Sequence, residues 1–317
     1  MIDTLQFSVP LEAEHIYNFY MKFGGETFNS VLNSQGIHGI KIYLFKKCKP
    51  IRITIFVDCK FMLGKIVQER DYLNLEKKLL ALLDLLFDDN SIYDKHTLTR
   101  LDYSFDIEII GLEDEKNLLR IMQLQTAKYR RIKLDAIYAT GIVFETNSDS
   151  IEIGIYDKTE ERGEVADIHI LRFEIRLKND HLYNFSVRKG VKKQIRTFFS
   201  LRLFTHYMEE YLFKILYKGD YFSQDSIQSE IELSNLKGLD KHKLMDIVDC
   251  IASNGIEAVK ASMSSKTFRK RINMLQALNI NPFIIPSVLD KNYLEGIYPR
   301  FLKEYENAFP THNIEIS

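Results

Sequence analysis

Tryptophan is absent from this sequence, and cysteine is scarce: Cys48, Cys59 and Cys250 are the only three. A small, odd number with no CxxC and no zinc-ligand spacing excludes a disulfide framework and a zinc knuckle, and it suits a reducing cytosol. Proline and glycine are also few, at 6 and 14. No segment reads as low-complexity, and no fixed period repeats. Long apolar runs are missing. The most apolar stretch, KKLLALLDLLF, is too short to span a bilayer and contains Asp84, so no membrane partner is expected. The opening MIDTLQFSVP lacks a charged n-region and an apolar run, which argues against a secretory signal. A cytoplasmic location is the expectation.

What remains is a chain of 317 residues, 45% hydrophobic and 27% charged, enough for one large domain or two ordinary ones. Formal net charge is −1, which argues against a uniformly basic nucleic-acid binder. Local charge says more. Residues 172–202 hold nine basic residues, including Arg172, Arg176, Lys178, Lys192, Lys193 and Arg196, against two acidic ones, Glu174 and Asp180. Residues 260–271 hold five basic residues and no acid. Such runs are either solvated faces or phosphate-binding surfaces.

The N-terminal stretches TLQFSVP, IHGIKIYLFKK and IRITIFVDCKF read as strands. Residues 71–88 and 113–128 have helical periodicity. In TLTRLDYSFDIEI, Leu101, Tyr103, Phe105 and Ile107 share one face. Arg100, Asp102, Ser104, Asp106 and Glu108 share the other. Three acids on one strand face repel each other unless water, an arginine or a metal intervenes. Further strands are expected near 141–146 and 151–158. IEIGIYDKTE alternates Ile151, Ile153 and Ile155 with Glu152, Gly154, Tyr156 and Lys158. IHILRFEIRLK alternates His169, Leu171, Phe173, Ile175 and Leu177 with Arg172, Glu174, Arg176 and Lys178. His169 reads as a core histidine. Strands with one apolar and one charged face predict an α+β fold, with a mainly antiparallel sheet packed on helices and one polar face. The polar stretch 220–240 separates this from a helical region. Within that region, 256–279 reads as helix, short turn, helix, with Ser264 or Ser265 as N-cap. Phe268, Ile272, Leu275 and Leu278 form its buried stripe, and Lys266, Arg269 and Lys270 face out. A DNA-binding helix-turn-helix and a plain helical hairpin both fit.

Taken together, MIDTLQFSVP, TRLDYSF, GIYDKTE, LRFEIRLK and FRKRINMLQALNI resemble, in that order, segments of the filamentous-phage gene II protein family of replication initiators, which also includes plasmid proteins. LRFEIRLK is the most specific of these and the helical segment the least. Two departures stand out. About ten residues separate the tyrosine strand from the Arg-Phe-Glu strand, where the phage proteins have a longer insertion. None of the eight histidines forms the paired-histidine metal motif common among rolling-circle enzymes.

The resemblance implies a rolling-circle initiator, with a nicking domain over 1–220 and a helical DNA-binding region over 240–317. Tyr156 would attack a phosphodiester of the origin, retain the 5′ phosphate, and later reseal the displaced strand. Lys158 would assist it. Asp102 and Glu174 would hold a divalent ion, Mg2+ or Mn2+, since hard cations take oxygen ligands. Arg172, Arg176, Lys178, Lys192, Lys193, Arg196, Lys266, Arg269 and Lys270 would contact DNA. The partners implied are double-stranded origin DNA, single-stranded DNA, and a host helicase, single-strand-binding protein and polymerase. The absence of a GxxxxGK[ST] loop agrees with a transesterification that needs no ATP. A conjugative relaxase and a non-catalytic DNA-binding regulator are the competing readings.

Overall fold

The computed structural model describes residues 1–300, apart from 46–49, 66, 111, 126–129, 132–140, 146–148 and 162–167. Cys48, the far ends of the helix expected to residue 128 and the strand expected to 146, and residues 301–317 of the C-terminal region lie outside the described residues.

The fold is α+β. Among the described residues, eight strands form one sheet: β1 (Ile2–Leu11), β2 (Ile40–Phe45), β3 (Ile51–Asp58), β4 (Thr97–Ile110), β5 (Arg130–Arg131), β6 (Gly141–Glu145), β7 (Ile151–Asp157) and β8 (Ile168–Lys178). Their order is β2-β3-β1-β4-β8-β7-β6-β5. The pairs β2–β3, β3–β1, β1–β4 and β5–β6 are antiparallel. β4, β8 and β7, the three strands with charged faces, are therefore consecutive in the sheet. A separate two-stranded ribbon pairs Tyr221–Phe222 with Tyr293–Leu294.

Two compact units divide the chain. One comprises residues 1–105, 148–152 and 174–208; the other comprises 106–147, 153–173 and 209–317. In the first, Leu5, Phe7 and Val9 of β1 and Ile53, Ile55 and Val57 of β3 are fully buried. The helix Tyr72–Phe87 buries Leu75, Leu79, Leu82, Leu83 and Leu86, the three-to-four spacing of an amphipathic helix. β3 ends sooner than its alternation suggests. Asp58 accepts a hydrogen bond from the Phe61 amide at 2.8 Å and caps a short helix, Cys59–Leu63.

In the second unit, the helix Leu112–Gln125 packs on β6 and buries Leu118, Leu119, Ile121 and Met122. The polar stretch 220–240 carries the helix Gln224–Leu233. Ser223 caps it, and Ile227 and Ile231, one turn apart, are buried. The helices Gly238–Asn254, Ile256–Ser262 and Ser265–Ala277 follow. Ser264 is the N-cap of the last and accepts from the Thr267 amide at 3.2 Å. Phe268, Ile272 and Leu275 are buried, Leu278 ends the helix half-buried, and Lys266, Arg269 and Lys270 are exposed.

Candidate active site

The polar face of the first unit is organised around one guanidinium. Arg176 on β8 donates to Glu152 Oε2 at 2.6 Å and to Glu174 Oε1 at 2.8 Å, and its Nε lies 3.5 Å from Asp102 Oδ1. Arg100 Nε donates to both oxygens of Asp102 at 2.9 and 3.1 Å, and its terminal nitrogen also reaches Oδ2. Lys178 holds Glu152 at 2.6 Å. Asp102 and Glu174 are thus brought together as expected, with Glu152 as an unforeseen third acid. The charges balance: Asp102, Glu152 and Glu174 give −3, and Arg100, Arg176 and Lys178 give +3.

Burial decides how these groups titrate. The Asp102 side chain is 1% exposed, and its desolvation pushes the carboxyl up against the pull of Arg100 and Arg176. Burial also works upward on Glu152, but its bonds to Lys178 and Arg176 prevail and hold it below the usual carboxylate range. Burial works downward on Arg176, and the acids Asp102, Glu174 and Glu152 outweigh it.

Tyr156 lies in the second unit, half-buried on β7. The room beside it comes from Gly141 on β6, where an added Cβ would stand 2.7 Å from the Tyr156 Cβ. Gly154, two residues earlier on the same strand, is itself buried. Lys158 does not share the strand face. β7 ends at Asp157, and Lys158 opens the one-turn helix Lys158–Glu161. Its Nζ nevertheless lies 5.7 Å from the centre of the Tyr156 ring. Expectation and structure agree on proximity and differ on the reason for it.

Arg172 requires a correction. Its side chain is 1% exposed, and it donates to Asp106 from Nε at 2.7 Å and from Nη2 at 2.8 Å. A fully buried, bidentate guanidinium is an internal strut and cannot contact a DNA backbone from this position. The same pair accounts for Asp106. Among the other basic candidates, Lys192 and Arg196 are exposed or partly so, with Arg196 beside the Tyr72 ring. Lys193 is half-buried, donates to Asn179 Oδ1 at 2.7 Å and sits over the Tyr183 ring.

One further cluster was not anticipated. Glu115, Asp157 and His169 meet in the second unit, with one potential ligand atom from each within 4.8 Å of the others. Among the described residues, this group could hold a metal ion. Its signal was present in the sequence. Asp157 continues the register of Ile151, Ile153 and Ile155, and His169 that of Leu171 and Phe173, so each places a polar group where the strand pattern calls for an apolar one.

The family model for the N-terminal region of the phage replication-associated gene II protein matches residues 1–197. The chain belongs to that family. It is the family that the sequence resembles, and the match spans Asp102, Tyr156, Lys158 and Glu174. The exposed Lys266, Arg269 and Lys270 of the helix Ser265–Ala277 lie beyond it. Among solved structures, the chain is similar to a rolling-circle replication initiator from Geobacillus stearothermophilus, at 15% identity and a TM-score of 0.29, over 60% of this chain and 79% of that one. Comparison with curated proteins gives no match. No helix among the described residues is long and apolar enough to cross a membrane.

Proposed function

We propose that this member of the gene II protein family initiates rolling-circle replication by nicking one strand of a double-stranded phage or plasmid origin through Tyr156. The observation that carries the reading is the juxtaposition of the Tyr156 ring and the Lys158 amine inside the family-matched region. A phenol with a reference pKa of about 10 is a weak nucleophile near neutral pH. A lysine ammonium beside it favours the phenolate. In the step proposed, the phenolic proton passes to solvent and the tyrosine oxygen bonds to phosphorus. The P–O3′ bond breaks, and the 3′ oxygen leaves as a hydroxyl that primes synthesis. The 5′ phosphate stays on Tyr156. A second transesterification reverses the link and reseals the displaced strand.

Asp102 and Glu174 are the proposed ligands of a hard divalent ion. Their oxygens converge on one guanidinium, a donor set that fits Mg2+ or Mn2+. The fit depends on Arg176. With it in place the group is neutral; with Arg176 turned to a DNA phosphate, the remaining five charges sum to −1 and attract a cation. When bound, such an ion would polarise a phosphate oxygen and stabilise charge developing on it. Arg176, Lys178, Lys192, Lys193 and Arg196 are the proposed backbone contacts, and the exposed face of Ser265–Ala277 is the proposed duplex contact. A host helicase, single-strand-binding protein and polymerase would follow the nick in the host cytoplasm.

The test is to incubate the full chain with supercoiled origin plasmid and Mg2+, denature with detergent, and map any protein-linked 5′ end by peptide mass. An adduct on Tyr156 supports the reading. An adduct on another tyrosine, or nicking without any adduct, overturns the assignment.

A further inference from the structure

Three elements of the second unit converge on one buried point: the end of β7 with Asp157, the start of β8 with His169, and the first turn of the helix Leu112–Gln125 with Glu115. His169 Nδ1 lies 3.2 Å from Glu115 Oε2 and 3.3 Å from Asp157 Oδ2. The side chains of His169, Glu115 and Asp157 are 12%, 1% and 2% exposed. We propose that Glu115, Asp157 and His169 bind a divalent transition-metal ion, Mn2+ or Zn2+ in preference to Mg2+, and that the ion pins this helix to the strand end that follows Tyr156.

The spacing favours co-ligands over a plain ion pair. Charge-assisted N–H···O bonds run about 2.7–2.9 Å, and both separations here are longer. A single Nδ1–H cannot point along two such lines at once. Donors placed ~2.1 Å from one ion lie about 3.0 Å apart in octahedral and about 3.4 Å apart in tetrahedral geometry. The two observed separations fall between those values. The donor chemistry selects the metal. Imidazole nitrogen with carboxylate oxygen suits zinc and manganese, whereas Mg2+ holds to oxygen and water.

The inference does not rest on the nicking reading. It also concerns a different residue set from Asp102 and Glu174. The ion proposed here would act as a positioning element, since Asp157 holds the backbone one residue beyond Tyr156.

The experiment strips the full chain with chelator and titrates it separately with MnCl2, ZnCl2 and MgCl2. Thermal unfolding and Mn2+ paramagnetic resonance supply readouts independent of activity. One tightly held Mn2+ per chain is expected, with a 14N coupling from bound imidazole and a rise in Tm of several degrees. Zn2+ should give a similar rise and Mg2+ little. His169→Gln should remove the coupling and most of the rise, while Glu174→Gln keeps both. Circular dichroism checks the folding of each variant. Should His169→Gln not fold, the nitrogen coupling in the parent chain decides the matter, because an all-oxygen site cannot produce it. Absence of that coupling, or a coupling and Tm rise that persist in a folded His169→Gln, overturns the proposal.

Discussion

Two groups of acids in this molecule differ in the kind of side chain they meet. Asp102, Glu152 and Glu174 meet Arg100, Arg176 and Lys178, three charges against three. Glu115 and Asp157 meet an imidazole, that of His169. Residue type alone would rank the first group as the stronger cation site, because it has more carboxylates. The guanidinium groups of Arg100 and Arg176 work against that ranking, since acids already paired with cations have less remaining pull on an ion. In the proposed reading, the first group takes up a cation only when Arg176 leaves it for DNA. The second brings an imidazole nitrogen to its carboxylates, which suits a resident ion.

The most severe way to separate the two groups is Tyr156→Phe. Removing one oxygen keeps the ring beside Gly141, so the fold should hold within about 1 kcal/mol, as for a surface-type change. Nicking and the covalent adduct should fall below detection, while metal-dependent stabilisation at Glu115–Asp157–His169 stays as in the parent. Plasmid nicking and thermal unfolding on the same preparations measure both. Residual nicking at the parental rate would show that the chemistry belongs to another residue.

Next in size is Arg172→Met. The substitution removes one half of a buried bidentate pair and leaves Asp106 without its guanidinium. Breaking a buried pair from one side costs roughly 3–5 kcal/mol. Adding Asp106→Leu should recover most of that loss, because the stranded charge disappears with its partner. Urea unfolding of the parent, both single variants and the double variant gives the coupling. A loss of under about 1 kcal/mol in Arg172→Met would mean that the pair is not structural.

Arg176→Met should cost less, about 1–3 kcal/mol, because its side chain is 32% exposed and water screens part of the attraction. Its pH dependence carries the information. Without Arg176, the acids Asp102, Glu152 and Glu174 face only Arg100 and Lys178 of this network, and protonation relieves the excess charge. Glu152 is held low in the parent, so the stability it contributes is complete above its unfolded pKa of about 4.3 and is lost as pH falls through its lower folded value. The gap between variant and parent should therefore narrow as the acids protonate. A gap that stays constant from about pH 7 to about pH 3 would show that the network contributes packing alone.

Much of the first group was readable in the sequence, because strand alternation has a period of two and places Asp102, Glu174 and Arg176 on charged faces. The alternation does not name the neighbour. That β4, β8 and β7 are consecutive is set by long-range pairing, and only that pairing gives Arg176 its three acids and Arg172 its Asp106. A basic run consequently reads as a DNA surface until burial divides it into struts such as Arg172 and exposed groups such as Lys192. The second group was obscured for a different reason. Glu115 sits among Glu113 and Asp114 in the first turn of a helix, where acids are expected to complement the dipole. His169 alone is ordinary in a core. Only together with Asp157, an acid in an isoleucine register, does it signal a site. Lys158 was placed beside Tyr156 by extending a strand that in fact stops one residue earlier.

Exposed basic residues supply the next comparison. Arg269 and Lys270 are exposed on the helix Ser265–Ala277, whereas Arg172 is buried. Arg269→Ala with Lys270→Ala should weaken origin binding by roughly 1–3 kcal/mol if a base contact is lost. If both contact only phosphates, the salt dependence of log K should become shallower by about 2 instead. Fluorescence anisotropy across a salt series distinguishes these results. Unchanged affinity and slope would leave the run as a solvated face.

The smallest expected effect concerns His96 and His181, whose pKa values burial lowers. His96 accepts the Ile195 amide at Nε2, 2.9 Å away, so its other nitrogen carries the proton and donates to the Tyr93 carbonyl at 2.6 Å. Burial lowers its pKa against the pull of that carbonyl. His181 lies 2.6 Å from the Tyr207 hydroxyl, and burial, with Arg188 and His206 nearby, lowers it to about 4. Both must gain a proton in the unfolded chain before they do so in the fold. Their contribution is therefore complete above the unfolded value of about 6.5 and is lost progressively as pH falls toward about 4, where His181 titrates in place. Asp102 works in the opposite sense, since its raised carboxyl gives up stability as pH rises through its folded value. Substituting one histidine isolates its share. His181→Phe should flatten the decline in urea midpoint between about pH 6.5 and about pH 4 while leaving the rest of the profile parallel to the parent. An equally steep decline in the variant would assign the acid sensitivity to other groups.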